Sequence, residues 1–191
     1  MLKRNKRIGI LITIGVAMFT IGIFLYNRYN TNRIYDRVLR QDGYQLYEIQ
    51  NPVTFTVFID PEWIPTRNGE EMQLNKELCK INNVNIILER TIHRGNDIYF
   101  VFDAIPVVGY KEGEFLSHYI IHQDGTSSTA DNINMFHVYN NENTVIDVGQ
   151  HGFGPSSQFS FGLNIENYDL FADGFYMDYN SSIIYGYYRI E

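Results

Sequence analysis

The sequence predicts a mainly β (α+β) domain, an antiparallel sheet or sandwich with one short helix, preceded by a single N-terminal transmembrane helix. Three observations predict this fold class. A long uncharged segment lies near the start of the chain, apolar and polar residues alternate through much of the remainder, and one internal segment has helical spacing instead. The chain has 191 residues, so the part beyond residue 43 can bury one core without disulfides or a structural metal.

The transmembrane prediction depends on residues 8–26, which contain no charged side chain. A helix of this length spans about 28 Å, close to the hydrocarbon thickness of a bilayer. Basic residues directly before the segment favour a cytoplasmic N-terminus and export of the rest of the chain. We therefore predict a basic cytoplasmic N-terminus at 1–7, a transmembrane helix at 8–26, a juxtamembrane helical stalk at 27–43 and an extracytoplasmic β-rich domain at 44–191. The predicted membrane anchor residues are Ile8, Leu11, Val16, Phe19, Phe24 and Tyr26.

A cleaved signal peptide is the alternative to a membrane anchor. The apolar run is longer than the roughly 7–15 residues usual for a signal peptide, and the exit from Gly22 to Arg28 lacks a small-x-small cleavage site. Within the run, Gly9, Thr13 and Ala17 recur every four residues. This spacing permits close approach of a second helix and hence a weak homodimer through the transmembrane segment.

Beyond the anchor, the periodicity predicts each element in turn. The stalk is helical because Ile34 and Val38 form one apolar stripe from Thr31 to Asp42, and Gly43 ends it. A second, short helix is predicted after Asn68, because Leu74, Leu78 and Ile81 share a helical face. Strands are predicted at Val53–Ile59, Val84–Ile92, Asp97–Ala104, Phe115–His122, Asn134–Tyr139, Val145–Val148, Phe159–Ile165, Phe175–Tyr179 and Ile183–Ile190.

The charge distribution restricts the partners. The formal net charge is −7, but five of the 15 basic residues lie at or before Arg28, so 10 basic and 22 acidic side chains follow it. An acidic surface repels phosphate backbones and anionic headgroups, which argues against nucleic-acid binding and favours a basic protein partner. Cys79 is the only cysteine, so no internal disulfide can form, and we expect it to be a small buried hydrophobe rather than a reactive thiol.

No catalytic, metal or cofactor site is predicted. The sequence has no phosphate-binding loop, no nucleophile elbow and no Cys-His pattern. His118 and His122 are four apart, but on a strand they would lie about 13 Å from each other, too far to share one zinc ion. Asp147 and His151 have the same spacing beside a glycine turn. We interpret all four as structural or surface residues.

The C-terminal region is the predicted partner-binding surface, because large aromatic rings there are mixed with carboxylates. On the last strand, either the face carrying Tyr185, Tyr187 and Arg189 lies at the surface, or both faces are covered and the tyrosine hydroxyls reach the rim. The predicted partner-binding residues are Tyr168, Asp169, Asp173, Tyr176, Asp178, Tyr185, Tyr187 and Arg189.

The layout of the chain resembles the TipC family. The resemblance comprises the short basic start, the single apolar anchor, an Asn- and Arg-rich exit that leads into Arg33-Ile34-Tyr35-Asp36, and a tyrosine-rich acidic β domain. TipC proteins are membrane-anchored immunity proteins of Gram-positive bacteria that neutralise toxins exported by the type VII secretion system. The resemblance implies a non-enzymatic domain that uses a concave sheet surface to occlude a secreted toxin outside the membrane.

Two other functions are compatible with the sequence. An accessory or sensor ectodomain of a membrane complex would depend on the Gly9, Thr13 and Ala17 face and on the stalk. A cell-surface hydrolase would require some of His118, His122, Asp147 and His151 to meet in a pocket.

Overall fold

The structure, a computed structural model, describes residues 2–129, 135–154 and 157–190. Its α-helices are α1 (Leu2–Tyr29), α2 (Thr31–Leu39) and α3 (Tyr168–Phe171). Its strands are β1 (Tyr44–Gln50), β2 (Val53–Ile59), β3 (Glu71–Ile81), β4 (Val84–His93), β5 (Asp97–Pro106), β6 (Glu112–Ser117), β7 (Tyr119–Ile121), β8 (Ser127–Thr129), β9 (Phe136–Tyr139), β10 (Val145–Ile146), β11 (Val148–Phe153), β12 (Phe159–Asn164), β13 (Phe175–Ser181) and β14 (Ile183–Arg189). The predicted mainly β, antiparallel fold is confirmed.

Helix α1 includes the whole uncharged segment 8–26. Across the part of the chain that the structure describes, no helix has both the length and the apolar character that membrane crossing requires, so the transmembrane span stays a prediction. The side chains of residues 1–13 lie outside the described set, and with them the expected contacts of Ile8, Leu11, Gly9 and Thr13.

Two sheets pack face to face and enclose the main core. One has the strand order β10-β9-β13-β2 and the other has the order β11-β12-β5-β4-β3, with antiparallel pairing throughout. Aromatic rings connect the two layers. The ring centre of Phe159 of β12 lies 4.8 Å from that of Tyr179 of β13, and the ring centre of Phe136 of β9 lies 4.9 Å from that of Phe161 of β12. These rings interdigitate because alternate residues of each strand point inward.

One antiparallel ladder continues from the sandwich into a third sheet. Only Asn51 and Pro52 separate β1 from β2, and only Ser182 separates β13 from β14. β13 pairs with β2 along its whole length, and β14 pairs with β1 as far as Arg189 opposite Tyr44. The ladder therefore passes through a turn at Ser182, where φ is +64°.

Helix α2 covers one face of the third sheet, which has the strand order β1-β14-β6. Ile34 and Val38 of α2 are buried in a second core together with Phe115, Tyr185 and Tyr187. The helix begins at Asn30, whose side-chain oxygen accepts a hydrogen bond from Arg33 N. The predicted apolar stripe of the stalk is thus the surface that attaches α2 to the domain.

From Ile183 to Tyr187 the last strand is buried on both faces, as in the second of the two predicted arrangements. Ile184 enters the main core, whereas Ile183, Tyr185 and Tyr187 enter the core under α2. The buried hydroxyls have partners: the Tyr185 oxygen accepts from Ile121 N at 3.0 Å, and that of Tyr187 accepts from the backbone N–H of Gly109 at 2.9 Å. Tyr185 and Tyr187 therefore hold the second core together and do not form an exposed face.

The helix predicted from Asn68 to Ile81 is wrong, because residues 71–81 form β3. Two β-bulges interrupt its pairing with β4, one between Gln73 and Lys76 and one between Glu77 and Cys79. Each bulge adds a residue and shifts the alternation. The half-buried Leu74, Leu78 and Ile81 consequently fall at intervals of four and three, which imitate a helical period.

Two further predicted elements have different bounds. The strand expected from Phe115 to His122 is divided at His118 into β6 and β7, and the strand expected at Val145–Val148 is divided at Asp147 into β10 and β11. The start of the predicted strand Asn134–Tyr139 lies outside the described residues.

A buried polar chain lies beneath the turn at Ser182. The Ser182 hydroxyl is 2.6 Å from Nδ1 of His118 and 2.5 Å from the hydroxyl of Tyr179. The His118 ring also stacks on Phe153, with ring centres 4.1 Å apart. Burial disfavours the charged imidazolium and lowers the pKa of His118 to about 4. The neutral ring thus stabilises the turn that joins the two halves of the ladder.

We predict that His118 makes the fold less stable in mild acid. Its folded-state pKa of about 4 lies below the ordinary value of about 6.5, so between these pH values the unfolded chain binds a proton that the folded chain does not. The contribution of His118 is fully present above about pH 6.5, and about 3 kcal/mol is lost as the pH falls to about 4. Denaturant unfolding of the full-length chain as a function of pH measures this loss.

The matched variants are His118→Gln, which should lose this part of the pH dependence, and the exposed His151→Gln, which should retain it. An identical pH profile for wild type and His118→Gln would contradict the assignment.

Candidate functional site

The outer face of the sheet β10-β9-β13-β2 carries a row of aromatic rings. Phe58, Tyr176 and Tyr139 are neighbours across three strands, and Val145 continues the row on β10. The ring centre of Tyr176 lies 5.0 Å from that of Phe58 and 5.4 Å from that of Tyr139. Phe58 is 37% exposed and Tyr176 is 36% exposed, so the row presents rigid ring surface to solvent.

A carboxylate lies directly beside this row. Asp178 is two residues from Tyr176 on the same face of β13, opposite Thr56 and His137. Its Oδ1 accepts a hydrogen bond of 2.7 Å from the Thr56 hydroxyl and one of 3.4 Å from the Tyr139 hydroxyl, and its Oδ2 is 3.4 Å from His137 Nδ1. These contacts orient the carboxylate while leaving it accessible at the surface.

The environment of Tyr139 reflects this charge. Desolvation, and then the negative charge of Asp178, raise the pKa of the Tyr139 phenol. The phenol is therefore protonated at neutral pH and can donate to Asp178. Tyr139 thus acts both as part of the aromatic row and as a support for the carboxylate.

An acidic pocket adjoins the same end of the sheet. It has a volume of about 240 Å³ and is lined by Asn140, Asn141, Glu142, Asp169, Leu170, Asp173 and Gly174. The Asn140 side-chain oxygen accepts hydrogen bonds from Glu142 N at 3.0 Å and Thr144 N at 2.9 Å, which fix the turn that carries Glu142. Gly174 has a φ of +86°, and a Cβ there would meet Phe58 Cζ at 2.5 Å. The glycine allows the pocket and the aromatic row to lie edge to edge.

We call the aromatic row, Asp178 and the acidic pocket together the distal face, because they lie at the end of the ladder farthest from α1. Its defining residues are Phe58, Tyr139, Tyr176, Asp178, Glu142, Asp169 and Asp173. At ~3.3 Å per residue, the summed length of β1 and β2, which lead from the end beside α2 to this end, is at most roughly 50 Å.

The structure brings half of the predicted partner-binding residues together. Asp169, Asp173, Tyr176 and Asp178 belong to the distal face. The other four lie elsewhere. Tyr168 packs against Phe171 with ring centres 5.4 Å apart and lines a different cavity, and Arg189 lies at the opposite end of the ladder. Tyr185 and Tyr187 are in the core under α2.

Sequence reasoning missed Phe58, Tyr139 and Glu142. Phe58 follows Thr54 and Thr56 in the outward positions of β2, so a large ring in a threonine series was the available signal. Tyr139 occupies the outward register of a correctly predicted strand. The position of Glu142 depends on the turn after β9 lying beside α3, a contact between distant segments that no local pattern encodes.

The histidines considered for hydrolysis divide between three places. His118 is in the core, and His122 is hydrogen-bonded to Ser128 on the β7–β8 hairpin. Asp147 and His151, in contrast, line one cavity of about 230 Å³ together with His137. Within the described ranges, no three His, Cys, Asp or Glu side chains are placed to hold a metal ion.

Cys79 is half buried against the main core. Burial, and secondarily the charge of Glu77, raise the pKa of its thiol to about 11. Because the thiolate is the nucleophilic form, this cysteine is unreactive at neutral pH.

Comparison with known proteins gives no relative for this chain: no family model, no curated protein and no solved structure matches it.

We predict that the distal face can be altered without unfolding the domain. Tyr176→Ala should change the free energy of unfolding by less than about 1 kcal/mol, because the ring is partly solvated and packs only on the outer face. The neighbouring Met177 is fully buried, so Met177→Ala should cost about 2–5 kcal/mol. Denaturant unfolding of both full-length variants measures the contrast. Equal destabilisation would show that the aromatic row is part of the folded core.

Proposed function

We propose that the chain is a membrane-anchored extracytoplasmic binding protein that neutralises a secreted antibacterial toxin by occluding it with the distal face. The observation that carries the proposal is the exposed row of Phe58, Tyr176 and Tyr139 flanked by the Asp178 carboxylate and the acidic pocket. Rigid aromatic rings supply contact area with little loss of conformational entropy, and carboxylates around them select a basic partner.

Anchoring by residues 8–26 is part of this proposal. The segment is uncharged, follows four basic residues and lies within the continuous helix α1. Export of the remaining chain would place the acidic domain outside the cytoplasmic membrane, where an exported toxin acts. Resemblance to the TipC family in layout supports the same location and role.

Binding, rather than catalysis, agrees best with the distal face. Asp178 and His137 are in contact there, but the groups around them are rings, a threonine and carboxylates, which complement a cationic surface. Asp147 and His151, which share a cavity at the β10–β11 edge, are the one observation that favours the hydrolase alternative. Replacing both with alanine would abolish a hydrolytic activity and leave toxin neutralisation unchanged. An accessory or sensor ectodomain would instead depend on the Gly9, Thr13 and Ala17 face.

We predict that the double variant Tyr176→Ala with Asp178→Ala loses protection. Removing a central aromatic anchor and its carboxylate should cost about 2 kcal/mol or more of binding free energy, roughly a 30-fold weaker complex. Wild-type binding should also weaken as ionic strength rises, because the attraction is partly between opposite charges. The measurements are affinity for the secreted protein that the full-length chain captures, and survival of susceptible cells exposed to it.

The matched control is Tyr188→Ala. Tyr188 is 44% exposed and lies on β14, beyond the turn at Ser182 and away from the distal face. It should retain full protection. Full protection by the double variant, or an equal loss in the control, would refute the assignment of the distal face.

A further inference from the structure

Two guanidinium groups meet one tyrosine ring where α1 joins the domain. Tyr110, in the loop between β5 and β6, has Cζ of Arg28 at 4.8 Å and Cζ of Arg189 at 4.4 Å from its ring centre. The ring of Tyr29, the last residue of α1, lies 5.2 Å from that of Tyr110. The end of α1, the β5–β6 loop and the end of β14 are thus in direct contact.

These arginines differ from those of the sandwich in their charge partners. Arg67, Arg90 and Arg94 each form an ion pair with a described carboxylate. Neither Arg28 nor Arg189 forms one with any carboxylate in the described ranges, although the chain has 22 acidic side chains against 15 basic ones. Two guanidinium groups that contact the same tyrosine ring and have no described carboxylate partner favour the binding of an external anion. Guanidinium groups bind phosphate oxygens in a bidentate manner.

Apolar side chains surround the same cations. Val107 is 57% exposed, Ile190 is 53% exposed and Tyr29 is 57% exposed. Ile190 follows Arg189, whose N donates to Lys111 O at 2.7 Å, and Val107 and Tyr110 lie on the same β5–β6 loop as Lys111. Tyr29 reaches this loop through its contact with the Tyr110 ring. Tyrosine rings, cations on flexible stems and exposed aliphatic groups are the combination found at the headgroup level of a bilayer.

We propose that the surface around these cations rests on the anionic phospholipid headgroups of the membrane that holds α1. We call it the basal surface, and it is formed by Arg28, Val107, Tyr110, Lys111, Arg189 and Ile190. Arg28, Lys111 and Arg189 bind headgroup phosphates, and Val107 and Ile190 enter the interfacial layer. This inference rests on the proposed anchoring of α1. It deepens that proposal, because the ladder then directs the distal face away from the membrane.

The basal surface also modifies the expectation drawn from net charge. The chain beyond Arg28 is acidic as a whole and should be repelled by anionic lipid. At the anchor end, however, Arg28 and Arg189 form no ion pair with a described carboxylate, and both meet the Tyr110 ring. Local attraction within about one Debye length then outweighs the more distant repulsion.

The test uses the full-length chain in nanodiscs of phosphatidylcholine, with and without phosphatidylglycerol. In a Cys79→Ser background, an environment-sensitive fluorophore is attached at Val107→Cys or at Val145→Cys. The two positions are matched in exposure, at 57% and 56%, but Val107 lies on the loop that carries Tyr110, whereas Val145 lies on β10 opposite Tyr139 of the distal face. With phosphatidylglycerol present, a quencher attached to lipid headgroups should quench the label at position 107 several-fold more than the label at position 145.

A charge reversal at the basal surface tests the role of the cations. Lys111→Glu should reduce the difference between the two labels, whereas Lys76→Glu, an exposed lysine of β3, should not. Equal quenching at both positions in a chain that remains in the nanodisc would overturn the inference and leave the anchor intact. Failure of the chain to remain in the nanodisc would overturn the anchor itself, and the inference with it.

Discussion

The rest of the structure depends on the antiparallel ladder that β1 and β2 form with β13 and β14. β13 is paired on both sides in the sandwich, and β14 is paired on both sides in the third sheet. The buried apolar side chains of β13 before Ser182 lie in the main core, whereas Ile183, Tyr185 and Tyr187 after it lie in the core under α2. The two successive strands thus contribute to both cores. The buried hydrogen bonds of Ser182 with His118 and Tyr179 pair the Ser182 hydroxyl, His118 Nδ1 and the Tyr179 hydroxyl at the turn between these strands. Without them, the turn would leave unpaired polar atoms between two apolar cores, at a cost of about 1–3 kcal/mol each.

The ladder also separates the basal surface from the distal face. One end holds α2 and the end of α1, together with arginines that have no described carboxylate partner. The other end holds the aromatic row and the acidic pocket. A binding protein on a membrane needs its partner surface presented away from the lipid, and a continuous hydrogen-bonded ladder supplies both the separation and the rigidity. The proposed toxin-neutralising role and the proposed contact with headgroups therefore use opposite ends of the same ladder.

Alternation along the sequence predicted β2 and β12, whereas β4 and β5 were predicted as β-rich runs joined by a hairpin loop, and most of β13 and β14 as further strands. A bulge between Leu88 and Arg90 interrupts the alternation of β4. Alternation failed at β3, where two bulges gave Leu74, Leu78 and Ile81 helical spacing. It also could not decide the exposure of Tyr185 and Tyr187, since alternation identifies two faces but not what covers each. α2 covers theirs, and that contact joins segments about 150 positions apart in the sequence.

The residues of the distal face were likewise predictable only in part. Tyr176, Asp178, Asp169 and Asp173 were found because acids and aromatic rings are mixed in one short C-terminal region of the sequence. Phe58, Tyr139 and Glu142 join them only through pairing with distant strands and through the turn beside α3. A surface assembled from four segments cannot be recognised from any one of them.

Hydrogen exchange of the free full-length chain tests the central claim most directly. If β1–β2 and β13–β14 form one ladder that couples both cores, their slowest amides on the two sides of Ser182 should exchange with the same free energy of opening, equal to that of global unfolding. Markedly faster exchange of β1 and β14 than of β2 and β13 would show that the anchor end opens independently. That result would contradict the account.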